Sequence, residues 1–279
     1  PQLIYCSITG FGEDGPYEKR PAYDAVAQSL SGIASLFLDP ENPKVTGPTI
    51  GDNMTGYNAC YGILSALFER EKGGPARAIS VNMLESAIAF VPDPYANLTQ
   101  QNIKPGPTSR ARASQSHAMV CADGKLLAVH LSSPEKFWVG VTNAFHLEHM
   151  REDARYVGRM ERIENYFEMT AEFKKAVAKE PRGYWLPRLE ENDVPYAPIY
   201  TLEEVFEDEQ VRHLDTFFSV IHPTEGDQTF ARRPVYIDGS RDDQPMIAPP
   251  TLSEHTEEVL LELGYASKKV KEFRDRGII

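Results

Sequence analysis

The stretch Ser7-Ile8-Thr9-Gly10-Phe11-Gly12-Glu13-Asp14-Gly15-Pro16-Tyr17 decides the reading of this chain, together with Pro21-Ala22-Tyr23-Asp24 and Gly51-Asp52-Asn53-Met54-Thr55-Gly56 at the head of an apolar helix. Gln2 to Ile8 reads as an apolar, β-branched strand. The three glycines between Gly10 and Pro16 then turn the chain, and they allow either positive φ or a close backbone approach. That loop is a tight turn or a ligand cradle. From Ala22 to Leu36, Val26, Leu30, Ile33 and Leu36 fall at helical spacings. After the prolines at 40, 43 and 48, a helix is expected over about Asp52 to Glu71. Its core face is expected to be Tyr57, Cys60, Tyr61, Leu64, Leu67 and Phe68. Gly56 and Gly62 weaken that helix, and close packing against a neighbour is the expected reason.

Further along, Gly73-Gly74-Pro75 ends the helix, Ala78 to Met83 alternates as a strand, and Leu84 to Phe90 is a helix. The rhythm is α/β. Prolines and glycines between Val91 and Ser116 mark an irregular linker. Asp123-Gly124 between His117 to Val120 and Lys125 to Leu131 signals a hairpin. Helices over Pro134 to Phe145, Asn165 to Lys179 and Tyr184 to Asn192, with a strand at Ala197 to Tyr200, make a second, smaller α/β unit. A charged helical tail runs from Glu254 to Arg276, with Val259, Leu260 and Leu263 on its apolar side.

Composition limits the function classes. The chain has 279 residues, 41% of them hydrophobic, and can bury a sizeable core. With 29 Lys and Arg against 41 Asp and Glu, the net charge of -12 and the lack of basic clusters argue against nucleic acid as a partner. No run approaches the roughly 20 apolar residues of a membrane span, so no membrane partner is expected. Cys6, Cys60 and Cys121 have no metal-type spacing. They suit buried thiols in a reducing, cytoplasmic setting. His146 and His149 beside Glu148 and Glu152 read as a solvated face rather than a metal site.

Asp52 is the candidate with chemistry. An aspartate at a helix start is an N-cap, or it is a nucleophile held ionised by the helix dipole, with free N–H groups nearby to meet an oxyanion. Both readings stand on the residues alone. Asp24 and Gln28 lie within about one helical turn of each other and are expected on one pocket wall. Arg110 and Arg112 are solvated or meet a carboxylate or phosphate.

Taken in order, these motifs resemble the family III CoA-transferases, the group that includes formyl-CoA transferase, carnitine CoA-transferase and 2-methylacyl-CoA racemase. The resemblance continues to Pro249-Pro250-Thr251-Leu252-Ser253-Glu254-His255-Thr256 and Leu263-Gly264-Tyr265. It implies an α/β fold with a nucleotide-binding large domain, incomplete because the family's opening βα segment would lie before Pro1. It also implies a smaller α/β domain, in an interlocked homodimer or beside a homologous subunit. The expected divisions are 1–95 for the large domain, 96–117 for the linker, 118–213 for the small domain and 214–279 for the return to the large domain.

The implied activity moves CoA from an acyl-CoA thioester to a carboxylic acid through an aspartyl acyl-enzyme, with Asp52 as nucleophile. Gly10, Phe11, Gly12, Tyr23, Asp24, Gln28 and Gly51 are expected to bind CoA and substrate. Coenzyme A is then a substrate, and no cofactor or metal is held permanently. The racemase branch uses a histidine where Tyr23 stands. Since a phenol with a reference pKa of about 10 is a poor base at neutral pH, transferase is expected over racemase or epimerase. A non-catalytic partner subunit is the alternative of another class. Formyl-CoA transferases carry a glycine run in the second domain, and its absence between Pro105 and Trp138 speaks against formyl and oxalyl substrates.

Overall fold

The structure, a computed structural model, describes residues 2–132, 134–241 and 245–279; Pro1, Ser133 and 242–244 lie outside the described residues. The chain divides into two compact units, one up to Pro198 and one from Ile199 onward.

In the first unit β1 (Tyr5–Thr9) and β2 (Ala78–Asn82) pair in parallel, Tyr5 opposite Ala78 through Thr9 opposite Asn82. A parallel pair needs a crossover, and here it contains α1 (Asp24–Leu30), a short 3-10 turn (Ile33–Leu36) and α2 (Ile50–Glu71). The single helix expected over 22–36 is therefore split. Gly32, at φ 80°, takes the left-handed conformation that ends a helix. After β2, α3 (Met83–Phe90) starts on an Asn82 cap whose side chain accepts the Glu85 N–H at 2.8 Å.

α2 packs on a different face from the one expected. Its buried residues are Gly51, Thr55, Ala59 and Ala66, while Tyr57, Tyr61, Leu64 and Phe68 are exposed, as is Cys60. Small side chains let the helix approach β2 closely. A Cβ on Gly62 would lie 3.2 Å from the Ile79 Cγ2, so that glycine is explained by packing, whereas Gly56 has nothing within 4 Å. Cys60 also departs from the expected set of buried thiols; Cys121 alone is fully buried.

The segment expected to be irregular holds α4 (Pro92–Gln101) and α5 (Ser109–Ser114). Pro92 and Pro94 fall in the first turn of α4, where an N–H has no intrahelical acceptor and its loss costs nothing.

The main core lies further along the same unit. β3 (Ser116–Val120) and β4 (Leu126–His130) form the expected antiparallel hairpin, with β5 (Tyr196–Ile199) beside β4. Around them pack α6 (Glu135–Ala144), α7 (Arg159–Glu164), α8 (Tyr166–Val177) and α9 (Arg182–Glu191). The strands alternate: Met119, Leu127 and Val129 point inward onto Trp138, Val141, Phe145, Phe173 and Leu189 in one continuous cluster. Phe145 meets Phe173 and Trp185 edge-on at 5.5 Å.

The second unit comprises α10 (Leu202–Glu207), opened by a Thr201/Glu204 capping box, α11 (Glu209–His213), the antiparallel hairpin of β6 (Phe217–His222) and β7 (Gly226–Ala231), α12 (Thr256–Glu262) and α13 (Ser267–Asp275). The expected tail helix is thus broken, at Gly264 with φ 88°. Val259 and Leu263 of its expected apolar side are exposed, while Val270 is buried. Among the described residues no helix is long and apolar enough to cross a membrane.

Candidate functional site

The β1 strand delivers the chain into the Gly10 to Pro16 loop, and the loop is pinned to the start of α1. A Cβ on Gly10 would lie 2.3 Å from the Ala22 Cβ, so only glycine fits there, and the Gly10 carbonyl accepts the Leu84 N–H at 3.2 Å. Gly12 N donates to Thr9 Oγ1 at 2.9 Å, and Phe11 meets Tyr17 edge-on at 5.7 Å. The Arg20 guanidinium sits 4.3 Å from the Tyr17 ring centre and 5.6 Å from that of Phe11. Phe11 and Gly12 therefore bond within their own loop and not to Asp52.

Two residues beyond Ala22, Asp24 reaches the N-terminus of α2. Its Oδ1 accepts the Gly51 N–H at 2.8 Å and the Asp52 N–H at 3.3 Å. Its Oδ2 accepts from Gln28 Nε2 at 2.5 Å, and the same buried amide nitrogen donates to the Pro48 carbonyl at 3.0 Å. Gly51 is itself buried against this carboxylate: a Cβ there would lie 3.2 Å from Asp24 Oδ1. Of the expected site residues, Asp24, Gln28, Gly51 and Asp52 are brought together by direct hydrogen bonds. Tyr23 adjoins them as the backbone cap of α1, with its side chain 80% exposed.

This arrangement settles what Asp52 is not. The N-cap residue of α2 is Thr49, and its side chain makes no cap bond. The cap acceptor comes instead from Asp24, 27 residues earlier than Gly51. Asp52 occupies the third helical position, exposed, and among the described residues its carboxylate accepts no hydrogen bond and pairs with no cation. The N-cap reading of Asp52 is replaced by a bare carboxylate at the positive end of a 22-residue helix.

The expectation of free N–H groups in that first turn is corrected as well. Ile50 N and Asn53 N donate to the Pro48 and Thr49 carbonyls at 2.8 and 3.2 Å, and Gly51 N and Asp52 N belong to Asp24. An oxyanion beside Asp52 must find its donors elsewhere.

Sequence reasoning placed Asp24 and Gln28 in a pocket wall but missed their capping role and missed the Pro48 carbonyl. A cap supplied across 27 residues leaves no local spacing to read. Elsewhere, Arg112 serves structure, donating to the Ile163 carbonyl at 3.4 Å and lying over Phe167, while Arg110 is exposed. Among the described residues no group of His, Cys, Asp and Glu has metal-binding geometry.

The model of CoA-transferase family III matches residues 1–256 of the chain. Succinyl-CoA:glutarate CoA-transferase of Mus musculus is 30% identical across the whole chain, which spans 64% of that protein's length. Formyl-CoA:oxalate CoA-transferase of Streptomyces coelicolor is 26% identical, again across the whole chain and 72% of the relative. Among solved structures, a CaiB/BaiF family protein from Brucella suis superposes with a TM-score of 0.77 at 25% identity, covering 94% of this chain and 68% of that one. With a mixed α/β fold shared with that structure and a family model matched over nearly its whole length, the chain belongs to CoA-transferase family III.

Proposed function

We propose that this chain carries the nucleophile of a CoA-transferase, with Asp52 forming the acyl-enzyme and Gly10, Phe11, Gly12, Tyr23, Asp24, Gln28 and Gly51 forming or supporting the adjoining wall. One observation carries the reading. Asp24 takes over the capping of α2 and leaves the Asp52 carboxylate exposed and unbonded.

The reaction follows from what a carboxylate can do. A carboxylate oxygen of Asp52 attacks the thioester carbon of the donor, and the C–S bond breaks to release CoA thiolate and leave a mixed anhydride. The thiolate then attacks the aspartyl carbonyl, expelling the donor acid and giving an aspartyl-CoA thioester. The acceptor carboxylate attacks that thioester, thiolate leaves again, and its attack on the acceptor half of the second anhydride yields the new acyl-CoA and regenerates Asp52. Each step exchanges one acyl bond for another, so coenzyme A enters and leaves as a substrate. Asp24 and Gln28 act by holding the helix start, and the Tyr23 hydroxyl donates toward the developing oxyanion.

The names of the relatives support small carboxylic acids as donor and acceptor. A homodimer, as the family resemblance implies, and a cytoplasmic setting, as the cysteine usage suggests, complete this reading. A racemase or epimerase is the second reading, disfavoured by tyrosine at position 23, and a non-catalytic partner subunit is the third.

The test is CoA exchange between an acyl-CoA and a labelled acid, run in D2O on the protein and on Asp52→Asn. Exchange should fall at least about 10³-fold in Asp52→Asn, as for loss of a covalent nucleophile, with the circular dichroism spectrum unchanged. Full exchange in that variant overturns the mechanism. Deuterium entering the α-position of a 2-methylacyl-CoA as fast as CoA moves would establish the racemase reading instead.

A further inference from the structure

The loop between β1 and α1 closes on itself. A Cβ on Gly10 would strike that of Ala22, so residues 10 and 22 hold the two ends together. A loop with touching ends, filled by its own side chains, is compact without regular structure. Its backbone does little to fix it. Gly12 and Gly15 stand at φ 110° and 88°, and among the described residues no backbone N–H from Glu13 to Tyr17 finds an acceptor. Side chains must supply the constraint.

Three of them do so. The half-buried Phe11 ring meets Tyr17 edge-on at 5.7 Å, and the Arg20 guanidinium lies over both rings, 4.3 Å from the centre of Tyr17 and 5.6 Å from that of Phe11. The Arg20 N–H donates to the Tyr17 carbonyl at 2.9 Å, which starts the side chain beside that ring. Among the described residues the guanidinium has no carboxylate partner, although the chain carries 41 Asp and Glu. What holds it is the negative face of the rings, which a planar, weakly hydrated guanidinium suits.

We infer that Arg20 is a positioning residue of the site: it holds the Phe11 ring, and with it the glycine loop, in the place where an acyl-CoA binds. The inference rests on the placement of Phe11 in the wall, proposed above, and does not depend on which residue is the nucleophile. Without Arg20 the ring moves with its loop, and binding must order it again. That cost falls equally on the ground state and the transition state, so it enters KM and not kcat.

Steady-state CoA exchange by the protein, by Arg20→Ala, by Phe11→Leu and by the variant carrying both changes tests this, with circular dichroism as the check on folding. Arg20→Ala should raise the KM for acyl-CoA about fivefold, the size of an exposed cation–π contact, with kcat held within about twofold and the spectrum unchanged. Phe11→Leu should raise KM at least as much. Adding Arg20→Ala to Phe11→Leu should change KM by less than about twofold, because the ring to be positioned is already gone. An unchanged KM in Arg20→Ala beside a raised one in Phe11→Leu overturns the inference and leaves the wall standing. Effects that multiply in the double variant also overturn it, since the guanidinium would then meet the substrate directly. A KM indifferent to Phe11→Leu removes Phe11 from the wall and the inference with it, and absence of exchange in the unsubstituted protein overturns both.

Discussion

Asp24 spends both carboxylate oxygens on structure: one on two peptide N–H groups of α2, the other on the Gln28 amide. A cap of this kind is worth about 1 kcal/mol, rising to about 2 in favourable sites, and here it also fixes the helix that presents Asp52. Asp24→Ala strips the acceptor from two N–H groups at once and leaves Gln28 with the Pro48 carbonyl as its sole remaining partner. Urea denaturation should show a loss of about 1 to 2 kcal/mol for Asp24→Ala. Asp24→Asn, which keeps one acceptor oxygen, should lose less than half as much. Equal stability of Asp24→Ala and the unsubstituted protein would mean that the first turn of α2 is held by Thr49 and Pro48 alone.

At the scale of elements, the hairpin of β3 and β4 is clamped to α8 through a histidine. His117 is buried, stacked on Tyr166 at 4.7 Å and edge-on to Phe173 at 5.0 Å, with Nδ1 bonded to Thr170 Oγ1 at 2.8 Å. Its Nε2 is buried and has no hydrogen-bond partner among the described residues. Burial, aided by the positive charge of Lys174, pushes the imidazole down from its ordinary value of 6.5 to about 3. The folded chain therefore keeps His117 neutral while the unfolded chain takes up a proton. Stability from this contact is whole above the unfolded value and declines as pH falls from 6.5 toward 3, at up to about 1.4 kcal/mol per pH unit. Replacing the ring with one that does not titrate, His117→Phe, should remove about one proton from the pH slope of the unfolding free energy between pH 6 and 4. Denaturant titrations at several pH values measure that slope, and an unchanged slope in His117→Phe would assign the acid sensitivity to other groups.

Across the whole molecule, apolar burial is uneven. The first unit holds the continuous cluster from Met119 to Val194, whereas Val270 is the one fully buried hydrophobic residue of the second unit among the described residues. Local opening energies follow apolar burial. Hydrogen exchange followed by mass spectrometry should protect the amides of β4 and α8 at least about tenfold more strongly than those of β6 and β7. Matching protection in the two units would mean that they unfold as one.

Local pattern determined a large part of this protein. The strand at residues 5–9, the glycine loop, the hairpin at Asp123-Gly124 and the helices of the main core each carry a period or turn signal within a few residues, and the motifs from Ser7 to Gly56 sufficed to identify the family. The helix breaks at Gly32 and Gly264 were present in the sequence as glycines, yet Gly56 and Gly62 are glycines that continue a helix, and no local pattern separates the two pairs. Only the tertiary structure decided which face of α2 is buried. Hydrophobic periodicity selects the large residues, but close approach to β2 requires the small ones, and a sequence period cannot weigh distance between elements. The same limit held at the site. Asp52 could be a cap or a free carboxylate on local evidence, and the choice was made by Asp24, a residue far away in sequence that the β1 loop and α1 bring to the helix end.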